Sequence, residues 1–298
     1  MIKPKLIPII YRNINYPSDI KANIYEIAGN FDRESIYSDT PYSLHTEYSY
    51  GKRKLNTPIF DNLINIKERT KKNIPQLWFN KEWADDFLLF IKHLIKSNND
   101  RPPKILEIHP PFDDYSSFNK FMEIFTYFHN KFIIDYSDTT ILIENRYGSM
   151  YPCGKFILLK CADIIEFCKI LKNPKYINIK LNIVIDYPQI FSAEVNMNDI
   201  KLDKIIKFNE EIKDYIDLIG GFHMWGKTKS DKGKWSAHTG DFNTFFSGDL
   251  ELKKEFLSSV SSTFNDGIPR FFVPEVNSGE KDLNSIIKDM KKYFDFIE

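Results

Sequence analysis

From about residue 100 onward one phrase recurs along the chain, and it limits the fold more than any bulk property does. A short run of Ile, Val, Leu and Phe ends in a polar residue, a loop follows, and then an amphipathic helix. Lys104 to His109, Thr139 to Asn145, Leu181 to Tyr187, Leu218 to His223 and Arg270 to Val276 are nearly continuous apolar runs. Strands covered on both faces read this way, so a parallel sheet is expected. Helices are expected over Ser116 to Lys131, Leu159 to Leu171, Asp199 to Tyr215, Leu250 to Thr263 and Lys281 to Ile297. The strand ends at 109, 144, 186 and 223 lie 35, 42 and 37 residues apart, each interval the length of one βα unit.

The first hundred residues are less regular. Lys5 to Tyr11 reads as a first strand, Pro41 to His45 as a second, and Lys81 to Lys96 as an amphipathic helix. Tyr48 to Leu77 is polar and broken by Pro58 and Pro75, the pattern of an irregular insertion near 48–77. The 52 residues between His223 and Glu275 leave room for a short strand at Lys234 to His238, which brings the count to eight. The expected architecture is a single-domain (β/α)8 TIM barrel over 1–298, with a doubly wound open sheet as the alternative.

Composition removes several classes of function. Lys plus Arg and Asp plus Glu are 41 each, so the net charge is zero and exerts no global pull on nucleic acid, although a local basic face remains open. Only seven of the basic residues are Arg, so planar guanidinium forks are sparse. No apolar run approaches the roughly 20 residues of a bilayer span, and no membrane partner is expected. Met1 to Ile10 has no cleavage-site pattern. Cys153, Cys161 and Cys168 are odd in number and lack metal spacing, which points to a reducing, cytoplasmic setting. A monomer is expected.

The polar residues that end the strands carry the functional signal. Glu144 ends Ile-Leu-Ile-Glu-Asn, Asp186 ends Ile-Val-Ile-Asp-Tyr, His223 ends Gly-Gly-Phe-His, and Glu275 ends Phe-Val-Pro-Glu-Val-Asn. A barrel gathers the carboxyl ends of its strands on one face, where His109 and His238 are expected to join these four. Three carboxylates aimed into one concavity repel each other unless a cation holds them. Mixed carboxylate and imidazole donors suit Zn²⁺, Mn²⁺ or Fe²⁺ better than Mg²⁺.

With these residues in view, the chain resembles the xylose-isomerase-like barrel superfamily, and within it most closely the endonuclease IV family of abasic-site nucleases. His45 in Ser-Leu-His-Thr-Glu-Tyr is similar to the family's substrate-proximal histidine. His109 in Ile-His-Pro-Pro resembles the strand-3 His-Pro-Gly, and Glu144 in Ile-Glu-Asn matches strand 4. Asp186 matches the strand-5 aspartate, His223 and Lys227 resemble the His-x-x-x-Lys of strand 6, and Glu275 matches the last-strand glutamate. His238-Thr-Gly-Asp241 looks like the later histidine and glycine turn. Gln189 and Ser236 stand where the family carries a histidine and an aspartate. The resemblance therefore implies one tight metal position from Glu144, Asp186, His223 and Glu275, and a weaker one sharing Glu144, Glu275 and His109. A third position has lost most of its ligands.

Two chemistries fit this set. As a phosphodiesterase acting on nucleic acid, Glu144 and Glu275 hold Zn²⁺ or Mn²⁺, Asp186 and His223 complete the sphere, and His45, Lys227 or His238 meets the substrate. Trp225, Trp235 and Tyr187 lie beside the ligands as candidate platforms for bases. As a sugar isomerase or epimerase, the same quartet binds one Mn²⁺ or Mg²⁺ while Glu144 and Glu275 shuttle a proton. Gln189 and Ser236 keep open a third reading, a binding module without chemistry.

Overall fold

The structure, a computed structural model, describes residues 3–46, 55 and 57–298. Residues 48–54 and 56 of the expected insertion lie outside the described residues. The fold is a (β/α)8 barrel. Its strands are β1 (Lys5–Ile10), β2 (Ile24–Gly29), β3 (Tyr42–Thr46), β4 (Ile105–Ile108), β5 (Thr140–Glu144), β6 (Asn182–Asp186), β7 (Ile219–Met224) and β8 (Arg270–Pro274). The principal helices are α1 (Lys81–Ser97), α2 (Phe118–Asp135), α3 (Cys161–Leu171), α4 (Tyr187–Glu194), α5 (Asp203–Glu211), α6 (Leu250–Thr263) and α7 (Glu280–Met290).

The expected strand at Lys234 to His238 is not a stave of the barrel. Trp235–Ala237 pairs antiparallel with Lys227–Lys229 in a separate hairpin. Ser236 and Ala237 are exposed there, so the segment has no apolar face to pack against helices. The count of eight is completed instead by β2, whose Ile-Tyr-Glu-Ile-Ala-Gly buries only its two end residues fully. That mixed burial gives neither a continuous apolar run nor an alternation, which is why the sequence pattern passes over it.

Contacts divide the chain into two compact units, Met1–Glu26 with Val184–Glu298 and Ile27–Ile183. In the first unit β8 lies parallel to β7, with Phe272 opposite Phe222 and Val273 opposite His223, and parallel to β1, with Leu6 opposite Arg270. A side chain at Gly221 would place its Cβ 2.7 Å from the Phe271 carbonyl oxygen, so only glycine lets β7 keep this approach. Arg270 is buried at the base of this pairing, bound through both Nη atoms to Asp266 and through Nε to the Ile219 carbonyl.

In the second unit β3, β4 and β5 are parallel neighbours, with His45 opposite Glu107 and Glu107 opposite Leu142. α1 and α2 cover them with an aromatic cluster in which Trp83, Phe87, Phe121, Phe125 and Phe128 surround Trp78 at centroid distances of 5.2–5.7 Å. Ring pairs at such separations attract beyond their area burial. That packing holds Trp78 at a φ of 56°, a conformation few bulky residues adopt, and its indole donates to the His109 carbonyl at 2.9 Å. The insertion is partly ordered: Pro58–Asn62 and Ile64–Glu68 are short helices that bury Phe60 and Ile66.

Candidate metal centres

Each unit carries a buried donor set at the carboxyl ends of its strands. In the second unit His45 is the last residue but one of β3, His109 follows β4 and Glu144 ends β5, and all three are at most 1% exposed. His45 Nε2 lies 3.2 Å from His109 Nε2 and 3.2 Å from Glu144 Oε2, and His109 Nε2 lies 2.8 Å from the same Glu144 oxygen. Glu107 Oε1 is 3.4 Å from His45 Nε2. A tetrahedral zinc with ligand distances near 2.0–2.1 Å sets its donors about 3.3 Å apart, so this triangle already has the edge lengths of a coordination sphere.

Protonation reaches the same result. Burial pushes the His109 imidazole down to about 4, Glu144 opposes that fall and Arg146 adds to it, so the ring is neutral at pH 7. A neutral ring nitrogen carries either one hydrogen or one lone pair. Nε2 of His109 nonetheless faces Glu144, His45 and Arg146 Nη1 at 2.8, 3.2 and 3.3 Å, and can satisfy only one of them by hydrogen bonding. Lone pairs converging on a shared cation meet no such conflict, and the set fits a divalent metal.

In the first unit Asp186, His223 and Glu275 each offer a donor atom within 4.8 Å of the others, and all three are buried. Asp186 caps α4: its Oδ1 accepts from the Gln189 backbone N–H at 2.9 Å, and its Oδ2 accepts from the Trp225 indole at 2.9 Å. Two donors thus fix the carboxylate, as outer partners of metal ligands do. Glu275 stands between two histidines, with Oε1 3.6 Å from His223 Nδ1 and Oε2 3.3 Å from His238 Nδ1. His238 lies 4.3 Å from the Trp225 ring, nearly parallel to it. Gly226 makes this possible, since a Cβ there would come within 2.2 Å of the Gly240 carbonyl oxygen that brings the His238 turn back to Trp225. Lys227 donates to Ser192 Oγ at 3.0 Å; burial lowers its ammonium pKa, and Asp186 opposes that.

Each unit brings together part of the sequence-derived set. Asp186, His223 and Glu275 are brought together in the first unit with His238, Trp225 and Lys227 beside them. Glu144 lies in the second unit with His109 and with His45, which the resemblance assigns to the substrate and which here points its Nε2 at the other two donors. Tyr187 is fully buried, its hydroxyl donates to Asn209, and its ring packs among Phe208, Phe222 and Phe256. A base platform needs an open face, and Tyr187 has none. Trp225, at 2% exposure, serves Asp186 through its N–H, whereas Trp235 is partly open. Gln189 is used through its backbone, and Ser236 is exposed on the hairpin.

Glu107 and Arg146 were not apparent as members of the set. Glu107 is two residues before His109 in Ile-Leu-Glu-Ile-His, so strand alternation puts both on one side, a usable signal. His93 and His129 serve packing, the first against the Glu34 carbonyl and the second accepting from the Lys180 N–H. Among the described residues no helix is long and apolar enough to cross a membrane.

No protein-family model matches the chain, and no curated protein sequence matches it. Among solved structures it is similar to AsfvAP:AG, AsfvAP being an AP endonuclease, with 10% identity and a TM-score of 0.53 over 98% of this chain and 99% of that one. The probable 3-DHS dehydratase AsbF from Bacillus anthracis gives 8% identity and a TM-score of 0.42 over 91% and 76%. A xylose isomerase domain protein from Planctomyces limnophilus gives 12% and 0.37 over 72% and 62%. At these identities the likeness to AsfvAP establishes a common fold, and the chemistry rests on the residues of this chain.

Proposed function

We propose that the chain is a metal-dependent hydrolase of the endonuclease IV type, acting on phosphodiester bonds of nucleic acid and in the first instance at abasic sites. One observation carries the reading: each unit holds its own buried set of imidazole and carboxylate donors, His45, His109 and Glu144 in one and Asp186, His223 and Glu275 in the other. Divalent ions, Zn²⁺ or Mn²⁺ by these donors, would supply the positive charge that polarises a phosphoryl oxygen and the acidity that readies a water for attack. Glu144 and Glu275 offer the negative charge each set needs, and the imidazoles of His45, His109 and His223 complete the donor types. Trp225 and the first turn of α4 keep Asp186 oriented. Lys227 has three N–H donors, and one goes to Ser192, which leaves two for a phosphate oxygen. The hairpin bearing Lys227, Lys229, Lys232 and Lys234 supplies a local basic face despite the zero net charge, and Trp235 on it offers a ring for a base.

The alternative of a mononuclear sugar isomerase would use a single ion, and it leaves the His45, His109 and Glu144 set without a task. That second set favours the nuclease. That AsfvAP, an AP endonuclease, has the same fold along nearly its whole length makes an abasic duplex the first substrate to try. The test is incision of a duplex carrying one abasic site by protein loaded with Mn²⁺ or Zn²⁺, beside aldose–ketose interconversion by the same sample. Incision lost in both Glu144→Gln and Glu275→Gln supports the proposal. Isomerisation without incision selects the sugar reading, and neither activity in a protein that binds no metal selects a binding module.

A further inference from the structure

We propose that Arg146 recognises the anionic group of the substrate at the His45, His109 and Glu144 centre, and that metal entry releases it for that role. The proposal rests on the metal-dependent reading and assigns it a recognition residue. Arg146 stands two residues beyond Glu144, and its backbone N–H donates to the Leu158 carbonyl at 2.9 Å, which fixes where the side chain starts. From there the side chain, 22% exposed, reaches inward to put Nη1 3.3 Å from His109 Nε2 and 3.9 Å from Glu144 Oε2.

Nε2 of His109 has one lone pair, so it cannot accept from Arg146 and bind a cation together. Arg146 and the metal therefore compete for the same nitrogen. Charge makes the competition directional. In the metal-free centre the guanidinium stands 3.9 Å from the Glu144 carboxylate as its counterion. A divalent ion takes up the charge of that carboxylate, and the guanidinium loses its counterion. An oxyanion bound between ion and guanidinium restores the balance, and the planar fork of Arg matches two oxygens of a phosphate. Anion and metal binding are thus coupled through Arg146, and the coupling must run equally in both directions.

The experiment is equilibrium dialysis with Mn²⁺ as the probe, with and without inorganic phosphate, on wild type, Arg146→Met and Arg146→Lys, with His45→Asn identifying the ion held at this centre. In the wild type phosphate should tighten Mn²⁺ binding by a factor in the range of about 5–150 expected of coupled sites. Arg146→Met should bind Mn²⁺ alone roughly tenfold more tightly, the scale of effect for a residue beside a ligand, and should lose the phosphate effect. Arg146→Lys keeps a charge without the fork and should retain only part of the phosphate effect. A phosphate effect as large in Arg146→Met as in the wild type overturns the inference, as does weaker Mn²⁺ binding in that variant, while the metal-dependent reading stands. A wild type that holds no Mn²⁺ sensitive to His45→Asn overturns both.

Discussion

Trp225→Phe isolates the support of a single candidate ligand, Asp186. The indole N–H donates to Asp186 Oδ2 at 2.9 Å, while Oδ1 is held separately by the Gln189 N–H. Phe keeps an aromatic face toward His238 and removes the donor. A hydrogen bond to a charged group contributes about 1.5–3 kcal/mol net. At about 1.36 kcal/mol per factor of ten, that corresponds to roughly 10- to 100-fold in metal affinity. Loss of an outer partner of a metal ligand gives the same range, roughly 10- to 100-fold. Without the indole the carboxylate is less firmly oriented and presents its oxygens less often to the ion. Calorimetric titration of Mn²⁺ into wild type and Trp225→Phe measures the difference, with circular dichroism establishing that both are folded. Affinities within about threefold would refute the argument that the indole orients Asp186 for a metal.

Other expectations follow from the same contacts. His109 titrates near 6.5 when unfolded and at about 4 when folded, so the unfolded chain takes up protons first as pH falls. Metal-free protein should be at full stability above about 6.5 and lose up to about 3 kcal/mol by about pH 4. His109→Asn should flatten that part of the curve, and an equal slope in wild type and variant would show that His109 is not the group responsible. Asp266→Asn should destabilise by about 3 kcal/mol in urea unfolding, because Arg270 is 1% exposed and loses the carboxylate that pairs with both its Nη atoms. A loss below about 1 kcal/mol would mean that water reaches the guanidinium. Binding of an abasic duplex should weaken steeply with salt, and Lys227→Ala should lower the logarithmic slope by about one. Salt-independent binding in the wild type would end the phosphate role of Lys227.

Much of the architecture could be read in advance where burial is two-sided. Ile141 to Glu144, Ile183 to Asp186 and Phe271 to Glu275 are apolar runs stopped by an acid, because a parallel strand is covered on both faces until it emerges at its carboxyl end. The same rule explains the failures. β2 is half-buried along its middle and gives no run, so its place in the count was given to Lys234 to His238, where Trp235–Ala237 is only a hairpin arm. Tyr187 follows Asp186 in sequence, yet as the first residue of α4 it turns into the core, and adjacency along the chain does not fix direction. His45 was legible as a site residue, but its place against His109 was not, because that depends on a 3.2 Å approach across 64 residues of chain. Arg146 carries no sequence signal for its contact with His109, since nothing local determines where a long, flexible side chain ends.

The claim on which the rest depends is that each unit holds a divalent ion, and metal stoichiometry tests it most directly. Elemental analysis after dialysis against saturating Mn²⁺ or Zn²⁺ should give two ions per chain for the wild type. It should give one for the His45→Asn/His109→Asn double variant and one for Asp186→Asn/His223→Asn, with none held by Gln189. A wild-type protein without bound metal, or two ions retained by either folded double variant, would contradict the account.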